Sequence, residues 1–328
     1  MKTLSIVIPA YNTGEHIAKL MTQLTSQAND EVEVLVIDDG SKDNTLHIAK
    51  RYANEYIRVI HQANQGVGPT RNHGIEKSNA RYVWFVDADD SIADNAIELI
   101  LRTIHEHPVD CYVFGYEKIF ANKKTIVSNS QSIEYGSIRS IAQNFDRIFS
   151  ESLVNVLWNK IFKLSVIKNN DIRAKKLRSG QDAEFCLRFF AHAESLYVCN
   201  QPIYKYVLMS SSSSSFKFQD TFFADQEAMY AALNDYERKT HAYVRGIKEF
   251  WKLHAAIGFY KNCYNSLPVK RYRPFRKVVK AHMPEYRRMI ESLECTTSSF
   301  DIRQLVSASP FLSYLYIKRK ISKAQKVK

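Results

Sequence analysis

The chain has 328 residues, of which 45% are hydrophobic, 24% charged and 12% aromatic, with only 10 Gly and 8 Pro. This composition is typical of a folded globular protein and excludes a disordered chain, a collagen-like repeat and a coiled coil. The uncharged apolar runs stay below the roughly 18 residues that a membrane-spanning helix needs. Five scattered cysteines without CxxC spacing indicate a reducing compartment, so we expect a cytoplasmic protein.

The net charge of +12 is concentrated near the C-terminus. Residues 241–328 carry 19 basic and 5 acidic side chains, whereas residues 1–240 carry 27 basic and 29 acidic ones. A typical length of about 150 residues per domain favours two domains. The basic C-terminal segment therefore needs an explanation separate from that of the rest of the chain.

The first 116 residues alternate between strand and helix patterns. Strands are predicted at 4–8, 32–37, 56–61, 82–86 and 111–116, with helices at 14–27, from about 66 onward, and at 93–107. This alternation predicts βαβ units and a mostly parallel sheet flanked by helices, which is an α/β fold. The later pattern is looser. It predicts a helix at 141–149, extended chain at 195–208, a loop or linker at the six serines 210–215, and helices over 221–260.

Polar clusters follow three of the predicted strands. They are Tyr11 and Asn12 after the first strand, Asp38 and Asp39 after the second, and Asp87, Asp89 and Asp90 after the fourth. Ligands of parallel α/β sheets bind outside the carboxyl ends of the strands, so the three clusters are expected to meet at one crevice. Each cluster alone has a simpler interpretation as a turn or a helix cap.

The carboxylates suggest two kinds of binding. Asp87 and Asp89 share a face if the chain stays extended, and two close carboxylates suit a hard cation such as Mg²⁺ or Mn²⁺. The alternative is that Asp90 or Ser91 caps the helix at 93–107. Asp39 is placed to accept a hydrogen bond from N3–H of uracil or thymine, a proton that cytosine lacks. The alternative for Asp38 and Asp39 is that they cap the following helix.

Four motifs in this order resemble those of the inverting family 2 glycosyltransferases, which have the GT-A fold. They are I-V-I-P-A-Y-N (6–12), V-I-D-D-G-S-K-D-N-T (36–45), N-Q-G-V-G-P-T-R-N (64–72) and D-A-D-D (87–90). W-N-K (158–160) and S-G-Q-D-A-E-F (179–185) resemble the acceptor-side element of bacterial members. The resemblance implies a GT-A domain at 1–215, with a nucleotide-sugar half (1–120) and an acceptor half (121–215), followed by a helical basic region at 216–328.

The resemblance also implies a role for each matching residue. Pro9, Tyr11 and Asp39 would hold the uracil and ribose, and Arg71 would lie near the phosphates of the nucleotide. Asp87 and Ala88 would contact ribose or sugar, Asp89 would bind Mn²⁺ or Mg²⁺ at the pyrophosphate, and Asp182 would be the catalytic base. One position departs from the family pattern, because Gln181 stands where an acidic residue is usual.

The resemblance implies a metal-dependent hexosyltransferase that moves a sugar from a UDP- or dTDP-sugar to a saccharide hydroxyl, in lipopolysaccharide, capsule or other surface glycan assembly. The alternative from another class is a basic nucleic-acid-binding protein, which an acidic crevice suits badly. A processive polysaccharide synthase is excluded because the chain has no Q-x-x-R-W motif and no membrane span. A dinucleotide-dependent dehydrogenase is excluded because no G-x-G-x-x-G follows the first strand.

The tail suggests a location. Residues 305–317 carry no charge, and residues 318–328 carry six Lys or Arg and no acidic residue. Further basic residues at 270–280 would widen this patch. We expect peripheral binding to the anionic inner face of the cytoplasmic membrane, where a lipid-linked acceptor would be held. The alternative is a solvated helix face that only keeps the protein soluble.

Overall fold

The computed structural model describes residues 1–120, 123–128, 131–150, 155–207, 218–268 and 270–292. The strands in these ranges are β1 (Lys2–Ala10), β2 (Val32–Asp38), β3 (Ile57–His61), β4 (Ala80–Phe85), β5 (Ser91–Ile92), β6 (Cys111–Phe120), β7 (Lys123–Val127), β8 (Ile133–Tyr135), β9 (Lys160–Lys163) and β10 (Leu196–Val207). The helices are α1 (Ile17–Gln27), α2 (Thr45–Lys50), α3 (Val67–Lys77), α4 (Ala96–Glu106), α5 (Ile138–Gln143), α6 (Phe145–Ser150), α7 (Leu164–Asn169), α8 (Gln181–Phe190), α9 (Phe222–Thr240), α10 (Arg245–Asn265) and α11 (Tyr272–Ser292).

The strands form one sheet in the order β3-β2-β1-β4-β9-β6-β10-β5, with β7 beside β6 and β8 beside β10. Parallel pairings join β3, β2, β1 and β4, and another joins β6 to β10. The short strand β9 lies antiparallel between β4 and β6. The predicted α/β fold with a mostly parallel sheet is confirmed by the pairings that join β1 to β4. The short strands β5, β7 and β8 pair antiparallel with their neighbours, and β9 is a central strand that the hydrophobic pattern does not reveal.

The strands at the centre of this sheet are apolar because helices cover both of its faces. Residues 3–8 of β1 and all of β2 are buried. Helix α1 buries Ile17, Leu20, Met21 and Leu24, which lie at the i, i+3, i+4, i+7 spacing of one helical face. Gly74 of α3 faces β1 so closely that a Cβ atom there would lie 2.2 Å from Cγ1 of Val7. A glycine at this point therefore lets α3 lie directly against the sheet.

Several predicted boundaries need correction. The helix predicted at 141–149 is two helices, α5 and α6, with the break at Asn144. The helical stretch predicted at 221–260 is also divided, between α9 and α10. The serine run 210–215 and the tail 305–328 lie outside the described residues.

The chain forms two compact units. The first comprises residues 1–177, 181–209 and 235–243 and contains the whole sheet. The second comprises residues 178–180, 210–234 and 244–328, and its described part has a core of aromatic side chains from α9, α10 and α11. Among the described helices, none combines the length and the apolar character needed to cross a bilayer.

Candidate active site

The three predicted polar clusters lie at the same edge of the sheet. The register pairs Ala10 with Asp38 and Val7 with Phe85, so β1, β2 and β4 end side by side. The amide of Asp39 donates to the carbonyl of Ala10 over 2.8 Å, which ties the ends of β1 and β2 together. The segments after these strands therefore meet at one edge, as the sequence predicts.

Asp39 is 3% exposed and holds the loop that leads into α3. Its Oδ1 accepts from Nε2 of Gln62 over 2.7 Å and from the amide of Gln65 over 2.9 Å, and its Oδ2 accepts from the amide of Gly66 over 2.8 Å. Burial alone would raise the pKa of Asp39, but these donors outweigh it and lower the pKa. Gly66 has φ of +93°, a conformation that few other residues adopt.

The capping alternative for Asp38 and Asp39 is wrong. Helix α2 begins at Thr45, and its N-cap position is Asn44. Asp38 is fully buried and its Oδ2 lies 2.6 Å from Nδ1 of His61. Neither carboxylate therefore caps α2: Asp38 pairs with His61, and Asp39 binds the loop that leads into α3.

Pro9 and Tyr11 lie on the first of these segments. Pro9 is a partly buried residue of β1, and Tyr11, just beyond the strand, is 44% exposed. The next residue, Asn12, has φ of +51° and is held in place by the segment after β2. Its amide donates to Oγ of Ser41 over 3.0 Å, and its Oδ1 accepts from the amide of Lys42 over 2.8 Å. The Tyr11 ring is thus left facing solvent beside a well-anchored turn.

Arg71 brings two predicted site residues together. This residue of α3 is 5% exposed, and its two terminal nitrogens point to opposite partners. Nη2 donates to Oδ1 of Asp87 over 3.0 Å, and Nη1 donates to Oδ1 of Asp182 over 2.8 Å. Burial would lower the pKa of Arg71, but the carboxylates of Asp182 and Asp87 outweigh it and raise the pKa. A contact of Arg71 with the phosphates of a nucleotide remains a prediction.

Burial has the larger effect on Asp87. It raises the pKa of this carboxyl above its ordinary value, although the neighbouring guanidinium of Arg71 opposes the shift. The side chains of Asp87 and Asp182 are 32% and 25% exposed, so both remain accessible from the crevice. The sequence contains no local signal for this arrangement, since Arg71 and Asp182 are 111 residues apart.

Gln181 completes the surroundings of Arg71. Its Oε1 accepts from Nη1 of Arg71 over 3.1 Å, while its Nε2 donates to the carbonyl of Lys175 through a short hydrogen bond. An ionised glutamate could accept from Arg71 but could not donate to the Lys175 carbonyl. The amide at this position, which departs from the family pattern, is therefore explained by the donor and acceptor that it faces.

The second oxygen of Asp182 meets the turn that precedes β9. Oδ2 accepts from the amide of Leu157 over 3.3 Å. Lys160, which is fully buried, holds this turn by donating to the carbonyl of Val156 over 2.5 Å and to Oδ1 of Asn159 over 2.8 Å. Burial lowers the pKa of Lys160. The predicted W-N-K element thus positions a backbone donor next to Asp182.

The D-A-D-D element forms a tight turn. The amide of Asp90 donates to the carbonyl of Asp87 over 3.2 Å, and Oδ2 of Asp90 accepts from the hydroxyl of Tyr204 over 2.8 Å. The same hydroxyl accepts from the amide of Asp87 over 3.2 Å. Ala88 is buried and Asp89 is exposed. Tyr204 was not foreseen from the sequence, because it lies on β10, far along the chain.

The capping alternative for Asp90 and Ser91 is also wrong. Helix α4 begins at Ala96 after Asn95, and Ser91 belongs to β5. The turn therefore lies at the edge of the sheet without capping α4, and the Asp89 side chain is exposed to solvent.

The carboxylates of this turn fit a hard divalent cation. No group of three or more His, Cys, Asp or Glu that could bind a metal occurs within the described ranges. Mg²⁺ commonly takes one or two protein carboxylates and completes its coordination with water and substrate phosphates. Asp89 is exposed, whereas Oδ1 of Asp87 is already bound to Arg71. Asp89 is therefore the residue that would hold such an ion, together with oxygens of a bound diphosphate.

Comparison with known proteins gives consistent matches. The family model for glycosyl transferase family 2 matches residues 5–170, just over half of the chain. YibD, a glycosyltransferase of Escherichia coli, is 32% identical over 219 residues, which are 64% of this chain and 63% of YibD. EpsH of Bacillus subtilis is 28% identical over 262 residues, which are 77% of this chain and 75% of EpsH.

Structural comparison agrees with the family match. The crystal structure of residues 1–349 of TarS from Staphylococcus aureus, a poly(ribitol-phosphate) β-N-acetylglucosaminyltransferase, superposes with a TM-score of 0.60. The superposition covers 89% of this chain and 91% of that one at 20% sequence identity, and that structure contains UDP. The sheet, the four motifs at its edge and these matches lead to one assignment: the chain belongs to glycosyl transferase family 2, has the GT-A fold and is a glycosyltransferase.

Proposed function

We propose that this protein is a metal-dependent, inverting glycosyltransferase that moves a sugar from a UDP-sugar, or a dTDP-sugar, to a saccharide hydroxyl during the assembly of a surface glycan. The observation that carries the proposal is the Asp87–Arg71–Asp182 arrangement. It holds one carboxylate beside the exposed Asp89 and another on a different element, α8. Residues 1–120 would bind the donor and residues 121–215 the acceptor.

The residues around Asp39 favour a donor whose base is uracil or thymine. Oδ1 of Asp39 accepts from Gln62 and Gln65, and Oδ2 accepts from the amide of Gly66. Oδ2 can therefore accept another from N3–H of the base. Pro9 and the exposed ring of Tyr11 would contact the base and ribose. TarS, whose fold this chain shares, has been crystallised with UDP-GlcNAc, which favours a UDP-sugar.

The surroundings of Asp182 favour its action as a general base. Asp182 would take the proton of the acceptor hydroxyl while that oxygen attacks the anomeric carbon from the side opposite the diphosphate. Arg71 and the Leu157 amide each bind one oxygen of Asp182, so its orientation is fixed from both sides. Such an arrangement supports inversion in a single displacement.

The diphosphate that leaves the donor sugar carries negative charge that the site has to stabilise. Asp89 would hold Mn²⁺ or Mg²⁺, with Asp87 and the buried Ala88 contacting ribose or sugar beside it. When bound, such an ion would supply the positive charge that stabilises the departing diphosphate.

Substitution of Asp182 tests the reaction directly. Purified full-length protein, Mn²⁺ and a panel of nucleotide-sugars are combined, and the released nucleoside diphosphate is measured. We expect release from a UDP- or dTDP-sugar, and Asp182→Asn should lower kcat roughly 10²–10⁴-fold with donor affinity nearly unchanged. Release only from GDP- or CMP-sugars, or full activity of Asp182→Asn, would contradict the proposal.

We also propose a location at the inner face of the cytoplasmic membrane, where the acceptor would be a saccharide or a lipid-linked saccharide. The tail that motivates this, residues 305–328, lies outside the described residues. Support comes from the basic residues of α11, which are exposed. Truncation after residue 303 should reduce sedimentation with anionic vesicles while leaving turnover with a short soluble acceptor intact.

A further inference from the structure

We propose that the outer face of α11 is a docking surface for an anionic phospholipid bilayer. This inference rests on the membrane location proposed above and assigns it to six side chains of one helix, here called the cationic face. They are Arg273, Arg276, Lys277, Lys280, Arg287 and Arg288, and all six are exposed.

Helix geometry places these six cations on one face of α11. An α-helix turns about 100° per residue, so the six positions fall within an arc of about 120°. At about 1.5 Å per residue, Arg273 and Arg288, the first and last of the six, lie about 22 Å apart along the axis of this helix. The cationic face is therefore an extended stripe along α11. A flat layer of phosphate headgroups can contact all six side chains of such a stripe at once.

The opposite side of α11 fixes the direction in which the stripe points. Phe275, Val279, Tyr286 and Met289 are at most 1% exposed and belong to the aromatic core of the second unit. The ring of Tyr286 stacks on that of Phe259 in α10, with centroids 4.3 Å apart and an angle of 15° between the planes. Because this face is buried, the helix cannot roll to hide its cations.

The charge on α11 is left largely uncompensated. The helix contains six cations but only two carboxylates, Glu285 and Glu291. Within the described part of the chain, one ion pair links the two groups, from Arg288 to Glu285 at 3.9 Å. Like charges three or four residues apart destabilise a helix, so this arrangement carries a cost that mixed charges would avoid. An anionic partner would offset that cost.

The remaining exposed residues of α11 favour a bilayer over a nucleic acid. They are Pro274, Ala281, Pro284 and Glu291. Proteins that bind single-stranded nucleic acids stack bases on exposed aromatic rings, and the exposed surface of this helix offers none. Lys and Arg alone suffice at an anionic membrane, where each contributes about a fivefold gain in affinity, equivalent to about 1 kcal/mol.

The test uses full-length protein and vesicles that contain phosphatidylglycerol and phosphatidylcholine, or phosphatidylcholine alone. The variant Arg276→Gln/Lys277→Gln/Lys280→Gln removes three cations from the stripe. The matched control, Lys19→Gln/Lys50→Gln/Arg51→Gln, removes three exposed cations from the first unit and leaves the same net charge. All proteins are checked for an unchanged melting curve and for release of nucleoside diphosphate from a donor sugar.

We expect the wild type and the control to sediment with the phosphatidylglycerol vesicles at low salt and not with phosphatidylcholine alone. The α11 variant should bind roughly 100-fold more weakly, and about 1 M salt should release all three proteins. Equal binding by the variant and the control would overturn the inference, as would binding to poly-uridylate in preference to the vesicles. Vesicle binding without donor turnover would instead contradict the proposed function and leave the docking surface in place.

Discussion

At the scale of single residues, the buried guanidinium of Arg71 connects the carboxylates of the site. Arg71 lies between Asp87 and Asp182, and each of its terminal nitrogens binds a different carboxylate. The planar guanidinium can do this because it presents several N–H groups in fixed directions, whereas a lysine ammonium acts as a single point. In the proposed reaction, Arg71 would therefore position both carboxylates.

Replacing Arg71 by Lys should uncouple these carboxylates. We expect kcat/KM to fall roughly 100-fold, and the free energy of unfolding to fall by about 3 kcal/mol, because one buried charge cannot satisfy both partners. Arg173→Lys is a matched control. Arg173 also binds two carboxylates, Asp171 and Glu76, but it is 43% exposed, and such a surface pair contributes under about 1 kcal/mol. Equal effects of the two substitutions, in urea unfolding and in kinetics, would show that burial is unimportant here.

Asp39 leads to a prediction about pH. The pKa of Asp39 is lower in the folded protein than in the unfolded chain, where it is about 3.9. The ionised carboxylate therefore stabilises the folded protein at pH values above about 3.9, and this stabilisation is lost as the pH falls through the lowered pKa. Asp39→Asn should therefore reduce the free energy of unfolding by about 2 kcal/mol at pH 7. Near pH 3 the free energies of unfolding of Asp39→Asn and wild type should lie closer together than at pH 7. Urea unfolding at both pH values measures them, and a difference that is constant over this range would contradict the assigned cause.

At the scale of secondary-structure elements, the turn before β9 connects β4 and β6 with Asp182 of α8. Nε1 of Trp84 donates to the carbonyl of Trp158 over 2.6 Å, which fixes the turn to β4. The amide of Phe114 donates to the carbonyl of Asn159 over 2.9 Å, which fixes it to β6. The turn is thus held by both neighbours of β9, and its Leu157 amide reaches Asp182 as a consequence.

Lys160 is expected to act through this turn. Lys160→Met leaves the Val156 carbonyl without its lysine donor, so the Leu157 amide should be held less firmly against Asp182. We expect kcat to fall about tenfold while KM for the donor stays nearly unchanged. Lys163→Met is the control on the same strand, since Lys163 is 44% exposed and pairs with Asp110. A loss of donor binding in Lys160→Met, or an equal loss of kcat in both variants, would argue against a positioning role.

At the scale of the whole molecule, ligand binding and stability are linked. A ligand that binds only the folded state raises the free energy of unfolding by about 2.7 kcal/mol when it is present at 100 times its Kd. The residues proposed to bind the donor, in α3 and at the ends of β1, β2 and β4, all belong to the first unit. Bound nucleotide should therefore raise the melting temperature of that unit.

This stabilisation should need both UDP and a divalent ion. We expect UDP with Mn²⁺ to raise the midpoint of thermal unfolding, and EDTA to remove most of that shift together with activity. Asp89→Asn should abolish the metal-dependent part of the shift and lower turnover roughly 100-fold or more. Asp94→Asn, which changes an exposed aspartate paired with Lys205, should leave both unchanged. Full activity in EDTA would exclude a metal requirement.

The sequence alone predicts strands β1 to β4 and β6, several amphipathic helices beside them and the resemblance to the family. The apolar runs of β1 and β2, and the i, i+3, i+4, i+7 spacing in α1, are local patterns that follow from how each element is covered. The polar residues after β1, β2 and β4 are recognisable for the same reason, because the end of each strand is readable from its own residues. The family motifs then imply roles for those residues.

Only the tertiary structure decides which of these elements meet. The contact of Arg71 with Asp182 spans 111 residues, and the central position of β9 depends on pairing with β4 and β6. The cations of α11 form one outward stripe only because the opposite face is buried in the second unit. Local periodicity specifies an element, whereas its partners are chosen by burial and hydrogen bonding among residues far apart in the chain.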